Sequence, residues 1–153
     1  MNTVCHLRPA DRARILAHLL ALDGDDRLLR FGHAIRDEGI AGYVAAIDFM
    51  RDDVLALERP DGGLAAIVHV GMREREVDFG LSVDPAWRRR GLGRTLFGHV
   101  IVLARAVGAA RLVCHTLNPA ILRLAAERGF RRLHDSPAGA LVLELEAPRA
   151  RSA

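Results

Sequence analysis

The stretch that most constrains this chain runs from a predicted strand through a long predicted helix into another strand. Residues 76–83 alternate between apolar and polar side chains, as expected of a strand with one buried face. Residues 91–107 carry apolar side chains at helical spacing and end before Gly108, and residues 111–116 are rich in strand formers. Two strands joined in this way by a helix pair in parallel. The chain therefore has to contain a parallel strand pair within an α/β fold.

The remaining segments surround this unit with further strands and helices. The pattern predicts strands at residues 4–8, 54–57, 64–72, 130–134 and 141–146, helices at 15–22, 33–49 and 119–128, and a polar link at 25–31. Short turns separate the strands before the long helix, so this part of the sheet is antiparallel. The predicted fold is an α+β mixed sheet of the α/β class, mostly antiparallel, with helices on both faces.

Composition limits the class of protein. The chain has 153 residues, of which 50% are hydrophobic and 27% charged, as in one soluble globular domain. No apolar run reaches the ~18 residues that span a bilayer, and the first residues lack the pattern of a signal peptide. Cys5 and Cys114 are too few for a disulfide framework or a zinc site. We expect one domain over residues 1–147, a frayed tail at 148–153, a cytoplasmic location, and neither membrane nor metal.

Arginine accounts for every Lys or Arg position of this sequence. Lys+Arg total 22, none of them lysine, and the formal net charge is +3. Codon bias explains this content for the chain as a whole, but one position is informative. A helix start presents unpaired N–H groups that bind anions, and glycine lets a phosphate approach the backbone. We therefore predict a phosphate-bearing ligand, with a solvated basic turn as the alternative, at Arg88, Arg89, Arg90, Gly91, Leu92, Gly93, Arg94 and Thr95.

Two common phosphate-binding motifs do not fit this segment. A P-loop requires a lysine, which the chain lacks, and a dinucleotide-binding loop requires a third glycine where Leu96 stands. Nucleic acid is a weaker choice of partner, because the excess charge is small and aromatic residues make up only 5% of the chain.

The segment resembles the acetyl-CoA loop of the GNAT superfamily of N-acetyltransferases. That loop has the motif Arg/Gln-x-x-Gly-x-Gly/Ala, which Arg88, Gly91 and Gly93 match. The next block of the family is an Asn at a strand end, a short helix and then Gly-Phe, and Asn118 and residues 129–130 match it. The order of predicted elements also agrees, so the resemblance covers nearly the whole chain. It implies a GNAT-like fold in which the central parallel pair is splayed.

The resemblance also implies a cosubstrate and the residues that hold it. Acetyl-CoA would pair through its pantetheine arm with the backbone edge of Leu81, Ser82 and Val83, and the N–H groups of residues 89–94 would bind its pyrophosphate. Asn118 would hydrogen-bond the cofactor, a role compatible with capping the next helix. We expect a cytoplasmic N-acetyltransferase that acts by direct attack on a primary amine of a small molecule or a protein. The acceptor is not identified, and the sequence allows a homodimer without deciding it.

The amine has to lose a proton before it attacks. Strand alternation puts Glu76 and Asp78 on the face opposite the apolar side chains. Asp78 matches the position at which some GNAT enzymes, including bacterial protein acetyltransferases, carry a glutamate. It is the first candidate base and Glu76 the second. A water chain, two merely solvated carboxylates, and a β-bulge that changes the alternation are the alternatives.

The acid that usually protonates the leaving thiolate in this family is a tyrosine, and Ala125 stands at its position. The only tyrosine, Tyr43, lies near the expected acceptor end. Cys114 and His115 lie on the splayed strand, where a structural role explains each of them better than catalysis. Residues 28–31 are similar to an Arg-Phe element of some bacterial protein acetyltransferase domains, and ordinary packing is the alternative.

The alanine at position 125 supports a second hypothesis, a non-catalytic acyl-CoA-binding module that regulates a partner. A third is a nucleic-acid-binding protein that uses the arginine cluster, and it predicts steep salt dependence.

Overall fold

The structure is a computed structural model that describes residues 3–116, 118–132 and 140–145. Its strands are β1 (Val4–His6), β2 (Asp53–Glu58), β3 (Leu64–Arg73), β4 (Glu76–Val83), β5 (Arg111–Cys114), β6 (Arg131–Arg132) and β7 (Leu141–Glu144). Its α-helices are α1 (Arg12–Leu20), α2 (Gly24–Phe31), α3 (Asp37–Ala45), α4 (Leu92–Ala106) and α5 (Pro119–Glu127). The predicted tail at 148–153 lies outside the described residues, as do parts of the strands predicted at 130–134 and 141–146. None of the described helices combines the length and the hydropathy needed to cross a membrane.

The seven strands form one sheet in the order β1-β2-β3-β4-β5-β7-β6. Every neighbouring pair is antiparallel except β4 and β5, which are parallel and are joined by α4. Their pairing begins at Glu76 with Arg111 and ends at Phe79 with Cys114. Beyond Phe79, the edge of β4 that faces β5 has no strand beside it in the described part of the chain. The mixed, mostly antiparallel sheet with one parallel pair is the predicted fold class, which is confirmed.

Two apolar cores lie on opposite faces of this sheet. On one face, α4 and α5 pack against β3, β4 and β5, and the Phe97 ring meets Phe79 at 5.3 Å and Phe130 at 5.4 Å between centroids. On the other face, α1 and α3 pack against β2 and β3 through Ile15 and Ile40, both almost fully buried. Strand β4 belongs to the first of these cores, which buries Val77, Phe79 and Leu81 and so holds the strand in the sheet.

Strand β4 alternates as the sequence predicts. Val77, Phe79 and Leu81 are buried in the core beside α4, whereas Asp78 and Gly80 are partly exposed on the other face. The pairing of β3 with β4 runs without interruption along the whole of β4, so no bulge changes the alternation there. The face that carries Asp78 is therefore the face covered by α1, α2 and α3.

Two predicted segments differ in the structure. Residues 25–31, for which the sequence predicts a polar link, belong to α2. The Asp23 carboxylate accepts a hydrogen bond from the Asp26 N–H at 2.8 Å and caps this helix, and Gly32 ends it with φ of +80°. These cap signals outweigh the polar composition. The helix predicted at 33–49 is shorter at both ends and spans Asp37–Ala45. At its C-terminal end, Arg12 donates to the carbonyls of residues 44 and 47, which satisfies acceptors that the helix leaves free.

His18 joins α1 to the sheet. The residue is 6% exposed, its Nδ1 lies 2.9 Å from the carbonyl oxygen of Leu64, and its Nε2 lies 2.9 Å from the Ser82 hydroxyl. A carbonyl only accepts, so Nδ1 carries the proton and Nε2 accepts from Ser82. Burial lowers the pKa of His18 below its usual value of 6.5, although the hydrogen bond to Leu64 acts in the opposite direction. The folded protein therefore favours the neutral imidazole.

We expect His18 to make stability depend on pH. The unfolded chain protonates this ring at a higher pH than the folded one, so the free energy of unfolding should fall below about pH 6.5, by at most ~1.4 kcal/mol per pH unit. His18→Gln cannot be protonated and should remove this contribution, whereas His99→Gln, at an exposed position of α4, should keep it. Urea unfolding between about pH 5 and 8 measures the difference. Equal pH dependence in wild type and His18→Gln would mean that the buried ring takes up its proton as readily as a free one.

Candidate active site

A groove of about 600 Å³ opens beside the splayed end of β4, between the starts of α4 and α5. We call it the α4 groove. Most of the residues for which the sequence predicts cofactor binding line it, namely Leu81, Val83, Arg88, Arg89, Gly91, Leu92, Gly93, Arg94 and Asn118. Ser82, Arg90 and Thr95 do not. Ser82 faces the opposite side of the sheet, where it meets His18, and the Thr95 hydroxyl donates to the Gly91 carbonyl at 3.0 Å.

The backbone at the start of α4 is open toward this groove. Gly91 is the N-cap, with φ of +75°, a conformation that suits glycine. The N–H groups of the first helical turn have no acceptor within the helix. A Cβ added to Gly93 would stand 3.7 Å from Val83 Cγ2, so the helix start lies close to β4. Free amides and a helix N-terminus together form an anion-binding geometry.

The four arginines of this segment do not all point at the helix start. Three of them have partners within the protein. Arg88 forms an ion pair with the Asp26 carboxylate at 2.9 Å, and Arg94 forms one with the Glu127 carboxylate at 2.9 Å. The Arg90 guanidinium stacks on Trp87, 4.4 Å from the ring centroid. Arg88, Arg89 and Arg94 still line the groove, so it keeps a positive wall.

Helix α5 contributes Asn118 to the same groove. The Asn118 side-chain oxygen accepts from the Ala120 N–H at 3.0 Å and caps α5, as predicted. The amide NH₂ of Asn118 is not used by this cap. Ala125 is fully buried in the core, so α5 offers no proton donor at that position.

A second cavity, of about 290 Å³, opens on the opposite face of the sheet. We call it the polar cavity. It is lined by Arg30, Phe31, Tyr43, Arg51, Asp52, His69, Gly71, Arg73, Asp78, Phe79, Gly80 and His115. Consecutive residues of β4 thus line the two cavities, Gly80 the polar cavity and Leu81 the α4 groove. One strand separates the two spaces at the point where its pairing with β5 has ended.

Two glycines let polar side chains lie directly on the sheet. A Cβ on Gly80 would overlap the guanidinium of Arg30, and a Cβ on Gly71 would overlap the carboxylate of Asp78. Arg30 also stacks on the ring of Phe31, 4.6 Å from its centroid. The Arg-Phe pair singled out in the sequence therefore lies inside the polar cavity, and Arg30 is not a surface arginine.

A chain of hydrogen bonds crosses the polar cavity. His69 Nε2 lies 2.9 Å from Asp52 Oδ2, and His69 Nδ1 contacts the hydroxyl of Tyr43. Arg30 Nη2 donates to the same hydroxyl at 3.0 Å, and Arg51 donates to the other oxygen of Asp52 at 3.1 Å. Burial alone would raise the pKa of Asp52, but the hydrogen bonds from His69 and Arg51 lower it below its ordinary value. Asp52 is therefore held as a carboxylate.

Sequence reasoning did not find His69 or Asp52. His69 interrupts an apolar strand, and a polar ring at such a position is the one local signal of a site. Asp52 lies 17 residues earlier, and only the antiparallel register that sets Val54 opposite His69 brings the two together. Strand register of this kind cannot be derived from local periodicity.

The structure separates the two carboxylates considered as bases. Asp78 lines the polar cavity, whereas Glu76 is exposed and lines a different depression beside Arg75 and Arg111. Cys114 is buried, and burial raises the pKa of its thiol to about 12. His115 lines the polar cavity.

Comparisons with known proteins agree with this geometry. The sequence profile of the acetyltransferase (GNAT) family matches residues 4–130. No curated protein sequence matches the chain. The fold is similar to the GNAT domain of S. lividans PAT, with 18% identity, 93% of this chain and 89% of that chain covered, and a TM-score of 0.75.

Two further solved structures share the fold over the whole chain. Salmonella typhimurium yncA, a putative acetyltransferase solved with its cofactor acetyl-CoA, is 21% identical, with 100% of this chain and 99% of that chain covered and a TM-score of 0.69. The ribosomal-protein-S18-alanine N-acetyltransferase from Escherichia coli is 20% identical, with 100% and 99% covered and a TM-score of 0.71. The family match runs from β1 past the end of α5 and so includes the anion-binding loop, Asn118 and the splayed strand pair. The resemblance read from the loop is thereby confirmed, and the chain belongs to the acetyltransferase (GNAT) family of acyltransferases.

Proposed function

We propose that this protein transfers the acetyl group of acetyl-CoA to a primary amine of a small molecule or a protein, by direct attack and in the cytoplasm. The observation that carries the proposal is the end of β4, which lines a phosphate-suited groove through Leu81 and a polar cavity through Gly80. Acetyl-CoA in the α4 groove and an amine in the polar cavity would approach each other from the two sides of this strand end.

The α4 groove supports acetyl-CoA as the donor. The amides at the start of α4, next to Gly91 and Gly93, would bind the pyrophosphate. The edge of β4 at residues 81–83, which no described strand pairs with, would hydrogen-bond the pantetheine arm, as an added strand would. The Val83 carbonyl on β4 also accepts from the Arg88 side chain, at 3.3 Å. Asn118 keeps its NH₂ group available for the cofactor, because only its oxygen is used by the helix cap.

The polar cavity supports an amine as the acceptor. The amine enters as an ammonium ion, and Asp78 is the carboxylate that we assign to it, as candidate base. Glu76 does not line the polar cavity, because it lies in the separate depression beside Arg75 and Arg111. The departing group is a thiol with a reference pKa of about 8.5, so its thiolate leaves without help from an acid. An alanine at position 125 is compatible with such a mechanism.

Gly93→Glu should abolish acetyl-CoA binding and leave the protein folded. The new carboxylate would occupy the anion site, while an acidic side chain in the first turn of a helix favours the helix. Wild type at a ligand concentration 100-fold above its dissociation constant should gain ~2.7 kcal/mol of stability, and the variant none. Thermal melts with and without acetyl-CoA measure this.

The matched control is Gly98→Glu, on the same helix but outside the groove. A Cβ there would meet only the end of Arg128, at 3.7 Å. This variant should keep the wild-type shift. Normal binding by Gly93→Glu would mean that the pyrophosphate is held elsewhere.

Asp78→Asn should lower kcat/KM on an amine by ~10²-fold or more, because a base typically contributes this much. Affinity for acetyl-CoA, measured by calorimetry, should not change. A fall in kcat identifies Asp78 as the base, whereas a rise in KM alone means that Asp78 only holds the ammonium. Glu76→Gln is the control and should behave as wild type. Tight acetyl-CoA binding without turnover of any amine would favour the regulatory module instead.

A further inference from the structure

The polar cavity contains a tyrosine, a histidine and an aspartate in one hydrogen-bonded line. Tyr43 lies at the open end of this line, His69 in the middle and Asp52 at the closed end. The side chains of His69 and Asp52 are only 16% and 7% exposed. Removing the Asp52 carboxylate and most of the His69 ring from water costs free energy, which their mutual hydrogen bond offsets. Acetyl transfer with Asp78 as the base does not involve His69 or Asp52.

Hydrogen-bond chemistry sets the direction of each proton in this line. Asp52 is a carboxylate and can only accept, so His69 carries its proton on Nε2, the nitrogen 2.9 Å away. Neutral His69 then has a lone pair on Nδ1, and Tyr43 donates its hydroxyl proton to that atom. Arg30 has only donors, so it donates to the Tyr43 oxygen at 3.0 Å. The Tyr43 oxygen therefore has one lone pair left for the cavity, and it faces the cavity as an acceptor.

The charges around His69 favour the same arrangement. The titratable or charged side chains that line the cavity with it are Arg30 from α2, Tyr43 from α3, Arg51 and Asp52 before β2, Arg73 from β3, Asp78 from β4 and His115 after β5. Arg30 stands beside the Tyr43 oxygen and stabilises negative charge on it. Asp52 stands beside the far nitrogen of His69 and stabilises positive charge on the ring. A proton moving from Tyr43 to His69 is thus assisted at both ends.

We propose that Tyr43 takes the proton from the acceptor ammonium and passes its own proton to His69, with Asp52 holding the resulting imidazolium. The inference rests on the proposed acetyl transfer, and it moves the proton acceptor from Asp78 to Tyr43, leaving Asp78 to hold the ammonium. One N–H proton goes to the Tyr43 oxygen, and the Tyr43 proton goes to His69 Nδ1. The neutral amine then attacks the thioester carbonyl. The nitrogen's second proton goes to the departing thiolate, so the only net proton released is the one on His69.

We call the line of Tyr43, His69 and Asp52 the relay. The group that receives the proton in it is an imidazole, a class of group that is more basic than a carboxylate. The reference pKa of imidazole lies about 2.5 units above that of a carboxyl group, which favours proton transfer from an ammonium to imidazole by roughly 300-fold. Tyr43 is the catalytic residue in this scheme, because it touches the amine. His69 and Asp52 are positioning residues that act through it.

The kinetic experiment compares two amines of similar size. Ethylamine is protonated at neutral pH and needs a base, whereas trifluoroethylamine is already neutral. Tyr43→Phe and His69→Gln should lower kcat/KM on ethylamine by ~10²-fold or more, and by less than ~10-fold on trifluoroethylamine. On ethylamine, the wild-type rate should rise with pH through one ionisation, and His69→Gln should lose this rise. His99→Gln is the matched control and should keep it.

Two kinetic outcomes would overturn the relay. One is an equal loss on both amines, which means that the variants only disturb the cavity. The other is a wild-type pH profile in His69→Gln with the whole loss of kcat in Asp78→Asn, which returns the proton to Asp78. Binding of acetyl-CoA by each variant shows that a loss is not caused by unfolding.

A second measurement does not depend on turnover. Nitrogen-15 NMR of the histidine side chains reports which ring nitrogen carries the proton. At a pH above the imidazole range, His69 should carry its proton on Nε2, and Tyr43→Phe should change the Nδ1 signal through loss of its donor. Asp52→Asn should change the Nε2 signal, because an amide replaces the carboxylate 2.9 Å from that nitrogen. A proton on Nδ1 of neutral His69 would overturn the relay even if no amine is acetylated.

The two readouts keep the relay and the proposed function apart. Absence of turnover with wild type, together with the expected protonation of His69, would contradict acetyl transfer to these amines while the hydrogen-bond line stands. Turnover by wild type, with the proton of neutral His69 on Nδ1, would support the acetyl transfer and contradict the relay.

Discussion

The arrangement of this protein depends on the point at which two parallel strands stop pairing. Backbone N–H and C=O groups are obligatory hydrogen-bonding groups, and a strand edge without a partner is an attachment site for another extended chain. Here β4 and β5 separate after Phe79 and Cys114, while apolar packing on the face that carries Phe79 and Leu81 holds β4 in place. None of the described strands pairs with this edge of β4 beyond that point, and the two cavities open on either side of the strand there.

Glycine at position 80 gives this opening its chemistry. Because there is no side chain on that residue, the guanidinium of Arg30 lies against the sheet and reaches the Tyr43 hydroxyl. The hydrogen-bonded line behind Tyr43 then extends away from the strand toward Asp52. Arg30, Tyr43, His69 and Asp52 are consequently oriented by hydrogen bonds to one another. Such pre-organisation is the condition under which proton transfer is assisted.

Local pattern predicted most of the fold and half of the site. Neighbouring residues are enough to predict the alternation along residues 76–83, the glycines at the start of α4 and the Asn118 cap. The structure has β4, the start of α4 and α5 at the predicted positions. Helix α2 was missed because its polar composition masks the caps at Asp23 and Gly32. The pair of His69 with Asp52 depends on strand register, which is set by the packed sheet and not by local sequence.

The absence of lysine has a consequence for a protein of an acetyltransferase family, whose donor is a reactive thioester. The cations that line the polar cavity, among the residues the structure describes, are Arg30, Arg51 and Arg73. A guanidinium stays protonated and delocalised, so it supplies positive charge without offering a nucleophilic nitrogen. An ammonium group in the place of Arg30 could lose its proton beside the same relay and become a competing acceptor. The guanidinium groups thus bring positive charge beside Asp52 and Asp78 without adding an amine that could attack a thioester.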